Sequence, residues 1–161
     1  MQSVEETRFM FRRTVAIGAA ICASLLAYAA LVEIMRAVMK PFHGALPVPL
    51  GRVQTVRIAV YGVAVAVLIA MRLARGRLFR AAPAEAPKTI LMRLMRMSVL
   101  TFVLAEIPAL LGLFLFFATG LTRDFYVLLA VSLVLEFMYF PRRAQWEEHL
   151  SRYGGGAGGR P

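Results

Sequence analysis

The stretch MSVLTFVLAEIPALLGLFLFFATGLT, residues 97–122, is mostly apolar and contains one charged residue, Glu106. A helix needs about 20 mostly apolar residues to cross a bilayer, so this stretch predicts a membrane span. A carboxyl group and a proline, Pro108, are both unfavourable in the middle of such a helix. These two residues are therefore the first place to look for function.

Three other apolar runs predict further spans. Residues 14–32 are uncharged, and residues 58–71 form a shorter run that flanking arginines extend by snorkelling toward water. Residues 125–140 are interrupted only by Glu136. The predicted fold class is all-α: a four-helix transmembrane bundle forming one domain over residues 1–153, with spans at about 14–35, 56–73, 97–119 and 124–140.

The connections between these runs contain turn-forming residues. Residues 40–51 and 80–88 are rich in Pro and Gly or Ala and predict loops. The short segment TGLTRDF, residues 119–125, predicts a tight turn in which Gly120 ends one helix and Asp124 caps the next.

The end of the chain has a different character. Pro141 suits the first turn of a new helix, so residues 141–152 predict a short interfacial helix at the membrane surface. Trp146 would lie at the headgroup level, and Arg142 and Arg143 would anchor the helix there. Residues 154–161 are rich in glycine and predict a disordered tail.

Composition and charge also favour a membrane protein. The chain is 60% hydrophobic and 17% charged, with a net charge of +10, whereas soluble domains are about 25% charged. Of 19 Lys and Arg residues, 14 fall on the side that holds both termini and the loop after the second span. The positive-inside rule places that side in the cytoplasm of a bacterial inner membrane. The loop's basic residues are expected to face anionic lipid rather than nucleic acid.

An alternative at the N-terminus stays open. Residues 11–33 combine a basic start, an apolar core and an Ala27-Tyr28-Ala29 pattern, as a secretory signal peptide does. Cleavage there would leave three spans. The apolar run is longer than a usual signal core of about 7 to 15 residues, which favours an uncleaved first span.

Three acids lie in or at the ends of the predicted spans. Glu33 is expected to form a helix-end salt bridge with Arg36, three residues later. Glu106 and Glu136 lie deeper, where a charge is unfavourable, so we expect them to be mostly protonated and treat them as candidate ion-binding residues. The same acids can instead hydrogen-bond to neighbouring helices and fix the packing.

Small residues mark the predicted helix contacts. Ala105, Ala109 and Gly112 are spaced so that another helix can approach closely beside Glu106, and Pro108 frees the carbonyl of Leu104. The first span carries a second row of small residues at helical spacing. Its members are Ala19, Ala23, Ala27 and Ala30, of which Ala23 and Ala27 are the central pair.

The order Ala105, Glu106, Gly112, Leu113 places a small residue before a glutamate and a Gly-Leu pair six positions later. This pattern resembles the outer helix of the rotor-ring proteolipid (c subunit) of rotary ATP synthases. The polar segment ARGRLFRAAPAEAPK, residues 74–88, is similar to the cytoplasmic loop of that family. The resemblance covers residues 56–119 and implies that Glu106 carries a proton or a sodium ion.

The sequence departs from that family at two places. The inner helix of that family has repeated glycines, whereas residues 58–71 contain only Gly62. The outer helix of the family has an aromatic residue before the Gly, and the corresponding residue here is Leu111. The four-helix pattern with AEIPALLGL and a closing YFPRRAQWEEHL also resembles small bacterial membrane proteins with no assigned function.

No pattern in the sequence indicates catalysis. It has no phosphate-binding glycine loop, nucleophile elbow or zinc spacing, and its single cysteine, Cys22, cannot form an intrachain disulfide. We therefore expect that the chain is not an enzyme and that it binds no cofactor or metal. The first functional hypothesis is an accessory protein or subunit whose buried glutamates mediate packing or assembly, as a homo-oligomer or with a membrane-complex partner. The alternative is proton or cation translocation through Glu106 in a proteolipid-like oligomer.

Overall fold

The protein is a bundle of α-helices. A computed structural model describes residues 2–40, 42–45, 49–78 and 87–140. Each secondary-structure element in these ranges is an α-helix. A helix satisfies its backbone hydrogen bonds internally, as a segment that crosses lipid requires. The helices are α1 (Gln2–Val38), α2 (Leu50–Leu78), α3 (Pro87–Thr119) and α4 (Thr122–Tyr139).

Three of these helices are long and apolar enough to cross a membrane. The qualifying segments are Arg8–Val38, Gly51–Ala74 and Met95–Thr119, and they contain the first three predicted spans. The all-α prediction is thus confirmed. Helix α4 has 18 residues and includes Arg123, Asp124 and Glu136, so its role as a fourth span stays a prediction.

The predicted C-terminal features lie outside the described residues. They are the surface helix over residues 141–152, with Arg142, Arg143 and Trp146 as its anchors, and the Gly-rich tail over residues 154–161. Most of the predicted loop over residues 80–88 lies outside them as well. These remain predictions from the sequence.

Helix α3 is the centre of the bundle. It packs against each of the other three helices, and α1 also packs against α4. Gly18 of α1 lies against Phe102 of α3 and Phe140 after α4, so these positions share one end of the bundle. At the other end, the N–H of Ala45 donates to the carbonyl of Phe117 at 2.7 Å. Helices α1 and α3 therefore run parallel, and α4 runs antiparallel to both.

The bundle has an apolar interior and an apolar exterior. The buried residues form three clusters: Leu25, Val32, Ala109, Phe116, Phe125 and Leu129; Val60, Ala64, Leu115 and Leu128; and Met71, Ala105 and Leu135. Large apolar side chains on all four helices also face outward, among them Ile34, Ile58, Phe114 and Phe137. Such a continuous exposed apolar surface is typical of a protein surrounded by lipid.

The α3–α4 turn follows one part of its prediction and departs from another. Gly120 ends α3 in the left-handed region, with φ of 74°, and its N–H donates to the Phe116 carbonyl at 2.7 Å. The prediction for Gly120 is confirmed. Helix α4 has Leu121 at its N-cap and no capping hydrogen bond from a side chain. The predicted cap by Asp124 is therefore wrong, because that carboxylate is engaged by α2.

Replacing Gly120 with alanine is expected to destabilise this turn. A Cβ atom at Gly120 would lie 2.7 Å from the carbonyl oxygen of Phe42, and the positive φ adds strain for any L side chain. We expect the free energy of unfolding to fall by about 1–3 kcal/mol, measured by thermal unfolding in detergent. Gly51→Ala is the control, because a Cβ there meets no atom within 4 Å. Equal effects of the two substitutions would contradict the assignment.

Candidate functional site

Five polar side chains from three helices meet inside the bundle. We call them the glutamate cluster: Cys22, Ser24 and Tyr28 of α1, Glu106 of α3 and Glu136 of α4. Helix α1 supplies the donors, and each of the other two helices supplies one carboxyl group. The cluster therefore connects α1 to the α3–α4 hairpin by hydrogen bonds in surroundings that are otherwise apolar.

Glu106 is half-buried and has two hydroxyl neighbours. Its Oε1 lies 2.7 Å from Ser24 Oγ and 2.7 Å from the Tyr28 hydroxyl oxygen. Ser24 and Tyr28 are one helical turn apart on α1, which lets both reach the same oxygen. Ser24 Oγ also lies 2.7 Å from the carbonyl oxygen of Ile21. A hydroxyl carries one hydrogen, so Ser24 donates to only one of these acceptors at a time.

Glu136 is in a different environment. Its side chain is fully buried, and its Oε2 lies 2.7 Å from the Cys22 sulfur. Its Oε1 is buried and has no hydrogen-bond partner. A thiol is a weak donor, so Glu136 accepts fewer and weaker hydrogen bonds than Glu106 does.

The chemistry available to the cluster is proton binding. The two carboxyl groups repel each other when both are ionised, and a protonated carboxyl group is the simplest way to remove that repulsion. Among the described residues, no group of three or more His, Cys, Asp or Glu side chains is arranged to hold a metal ion.

The proline of α3 lies next to a hydrogen bond between α3 and α4. Pro108 is fully buried, and the N–H of the next residue, Ala109, donates to Ser132 Oγ at 2.9 Å. A proline ring displaces the carbonyl four residues earlier and disturbs the hydrogen bonds of that turn. Ser132 therefore supplies a backbone partner from the neighbouring helix where the ladder of α3 is weakest.

The small residues predicted on α3 lie in its interior contact face. Ala105 and Ala109 are fully buried in two core clusters. Gly112 lies against Leu128 and Phe125 of α4, where an added Cβ would approach within 3.0 Å of Leu128 Cβ. Helices α3 and α4 are therefore in close contact at Gly112, six residues after Glu106.

The small residues predicted on α1 are placed differently. Ala23 and Ala27 are both exposed, and the buried face of α1 includes Leu25 and Val32 instead. Among the described residues, the alanine row thus makes no buried helix contact. Its packing role stays a prediction.

Two sets of charged and polar side chains lie near the other end of the bundle. Glu33 pairs with Arg36 at 2.8 Å, which confirms the predicted salt bridge, and Tyr126 of α4 donates a hydrogen bond to the same carboxylate. Buried Asp124 accepts hydrogen bonds at 2.9 Å from both Arg57 and Tyr61 of α2. This second group joins α2 to α4.

Several partners in these groups were missed by sequence reasoning. Ser24 and Tyr28 are hydroxyl residues one turn apart within an uncharged apolar run, and that spacing was an available signal. The sequence predicts only snorkelling for the arginines that flank residues 58–71, one of which is Arg57, and only capping for Asp124. Their pairing joins residues 67 positions apart, and no local pattern reports it.

Outside this chain, comparison offers no further guide to the site. Protein-family models, curated protein sequences and solved structures give no match to the chain.

Proposed function

We propose that the chain is an integral membrane protein of the bacterial inner membrane that crosses the bilayer four times and serves as an accessory protein or subunit. Three helices have the length and composition of spans. Helix α4 would be the short fourth span, with both termini in the cytoplasm as the bias of Lys and Arg favours. Anionic lipid at that face, and either a second copy of the chain or another membrane protein, are the proposed partners.

One observation carries the proposed role of the buried acids. Glu106 and Glu136 accept hydrogen bonds from α1 while they lie on α3 and α4. In lipid, apolar side chains contact lipid tails and other helices about equally well, so they select one helix orientation poorly. Polar contacts of this kind fix the rotation and depth of one helix against the others. We infer that the glutamate cluster fixes α1 in one position and so defines the surface that the bundle presents for assembly.

A second candidate function is proton or cation handling at Glu106. The observation that favours it is the neighbouring carboxyl oxygen, Glu136 Oε1, which is buried without a partner. Acids within transmembrane segments commonly mark ion pathways and proton relays.

Two substitutions of Glu106 separate these candidates. Glu106→Gln keeps a side-chain oxygen for Ser24 and Tyr28, so we expect it to lower the free energy of unfolding by less than about 1 kcal/mol. Glu106→Leu removes both hydrogen bonds and is expected to cost about 1–3 kcal/mol. Unfolding in detergent and native mass spectrometry measure stability and assembly.

The controls and the alternative use the same proteins. Glu33→Gln serves as a matched control, because Glu33 is exposed at the other end of the bundle. Proton flux in liposomes that is abolished by Glu106→Gln, with assembly unchanged, would favour proton handling over a packing role. If Glu106→Leu assembles and unfolds as the original protein does, the packing role is wrong.

A further inference from the structure

We propose that the two carboxyl groups of the glutamate cluster have different protonation behaviour. Glu136 stays protonated, and Glu106 exchanges a proton with water while the Ser24 hydroxyl turns between Glu106 and the Ile21 carbonyl. This inference rests on the proposed proton handling at Glu106. It extends that proposal by naming Glu106 as the carboxyl group that exchanges the proton and Ser24 as the hydroxyl group that reorients with it.

Glu136 has the surroundings of a neutral acid. It is fully buried, one of its oxygens has no partner, and the other has only a thiol beside it. An ionised carboxylate accepts several hydrogen bonds and is strongly disfavoured where these are lacking. A protonated group is neutral, so burial with few partners is less unfavourable for it, and its Oε2 still accepts from the Cys22 thiol.

Glu106 is satisfied in both of its protonation states. When it is ionised, Oε1 accepts from the Ser24 and Tyr28 hydroxyls. When Oε1 carries a proton, it donates to Ser24 Oγ, and Ser24 then donates to the Ile21 carbonyl oxygen. Tyr28 donates to Oε1 in both states. The same three oxygens around Ser24 therefore serve either state, and the exchanged proton is the only atom gained or lost.

The titratable groups around Glu106 are consistent with one ionised carboxylate in the glutamate cluster. Among the described residues, Tyr28 on α1 donates to the Glu106 carboxyl group and Glu136 on α4 interacts with it electrostatically, while Cys22 on α1 contacts Glu136. Because two ionised carboxylates would repel each other, a protonated Glu136 leaves Glu106 free to ionise. Glu106 is only partly buried and reaches the outside of the bundle, whereas Glu136 is enclosed, so Glu106 is the more accessible of the two carboxyl groups.

Infrared spectroscopy of the detergent-solubilised full chain tests the assignment, because protonated carboxyl groups have their own carbonyl stretching band. We expect one band that is present at neutral and acidic pH and is lost in Glu136→Gln. A second band should appear on acidification and be lost in Glu106→Gln. Circular dichroism verifies folding. Where a Gln variant does not fold, the Asp variant keeps a carboxyl group at a changed frequency and makes the same assignment.

The movement of Ser24 is tested at its second acceptor. In protein labelled with 1-¹³C isoleucine, the carbonyl band that Ile21→Val removes should shift to lower frequency on acidification, as it gains a hydrogen bond. Ser24→Ala should abolish this shift. Tyr126→Phe is the control, because Tyr126 donates to Glu33 outside the cluster.

Three results would overturn the proposal. They are a titrating band that Glu136→Gln removes, the lack of any protonated carboxyl band at neutral pH, and an Ile21 shift that persists in Ser24→Ala. These measurements report protonation and not transport or stability. Their failure is therefore distinguishable from a failure of the flux and unfolding experiments on Glu106.

Discussion

Replacing Gly112 with leucine is expected to force α3 away from α4 and to lower the free energy of unfolding by about 3 kcal/mol. Gly112 lies where the two helices are in close contact. A Cβ atom there would lie 3.0 Å from Leu128 Cβ and 3.2 Å from both the Cα atom and the carbonyl oxygen of Phe125. Two of these three neighbours are backbone atoms, so a change of side-chain rotamer does not relieve the contact.

The surroundings of Gly112 have little freedom to adapt. Phe125 is fully buried and Leu128 is 2% exposed, and each belongs to a core cluster that includes residues of α3. Moving α4 outward would also draw Ser132 away from the Ala109 N–H and Glu136 away from Cys22. The effect of the substitution should therefore spread to the glutamate cluster.

A matched glycine on another helix makes the measurement specific. Gly62 lies within α2, and a Cβ there meets no atom within 4 Å. Both proteins are unfolded by heat in the same detergent and followed by circular dichroism. Gly62→Leu should leave the midpoint unchanged or raise it slightly, since leucine favours a helix more than glycine does. If both variants lose the same stability, the close contact at Gly112 is wrong.

The helices themselves are largely predictable, although their ends are not. Each predicted span among the first three lies within an observed helix, but α3 begins at Pro87 rather than near residue 97. Hydropathy reports the length that lipid can cover, whereas a helix continues as long as its backbone bonds are made. Charged residues such as Arg93 and Arg96 continue α3 beyond the apolar run.

The candidate site is predictable only in part. The sequence indicates Glu106 and Glu136 as candidate site residues, because a carboxylate in lipid is unfavourable in free energy. It also indicates that Gly112 lies at a helix contact, because a small residue lets another helix approach closely. Which side chains they contact depends on how α1 is rotated and on its depth. Ala23 and Ala27 illustrate the difficulty, because a row of small residues looks the same in sequence whether it faces another helix or is exposed, as here.

The second large effect is expected from removing the cation that faces Asp124. Arg57 donates to Asp124 Oδ1 from Nε at 2.9 Å, and its Nη2 lies 2.9 Å from the same oxygen. The Asp124 side chain is 3% exposed, whereas that of Arg57 is 41% exposed. Arg57→Met keeps the length of the side chain but leaves a buried carboxylate with only the Tyr61 hydroxyl as its partner among these groups.

We expect Arg57→Met to lower the free energy of unfolding by about 2–3 kcal/mol. Breaking a fully buried ion pair typically costs about 3–5 kcal/mol, and water reaches the exposed arginine, which reduces the effect. Asp124→Asn should cost less, because the neutral amide oxygen still accepts from Tyr61. In the double variant Arg57→Met with Asp124→Asn, much of the lost stability should return, since no unpaired charge remains in the core. Additive losses in this cycle would show that the two side chains do not interact.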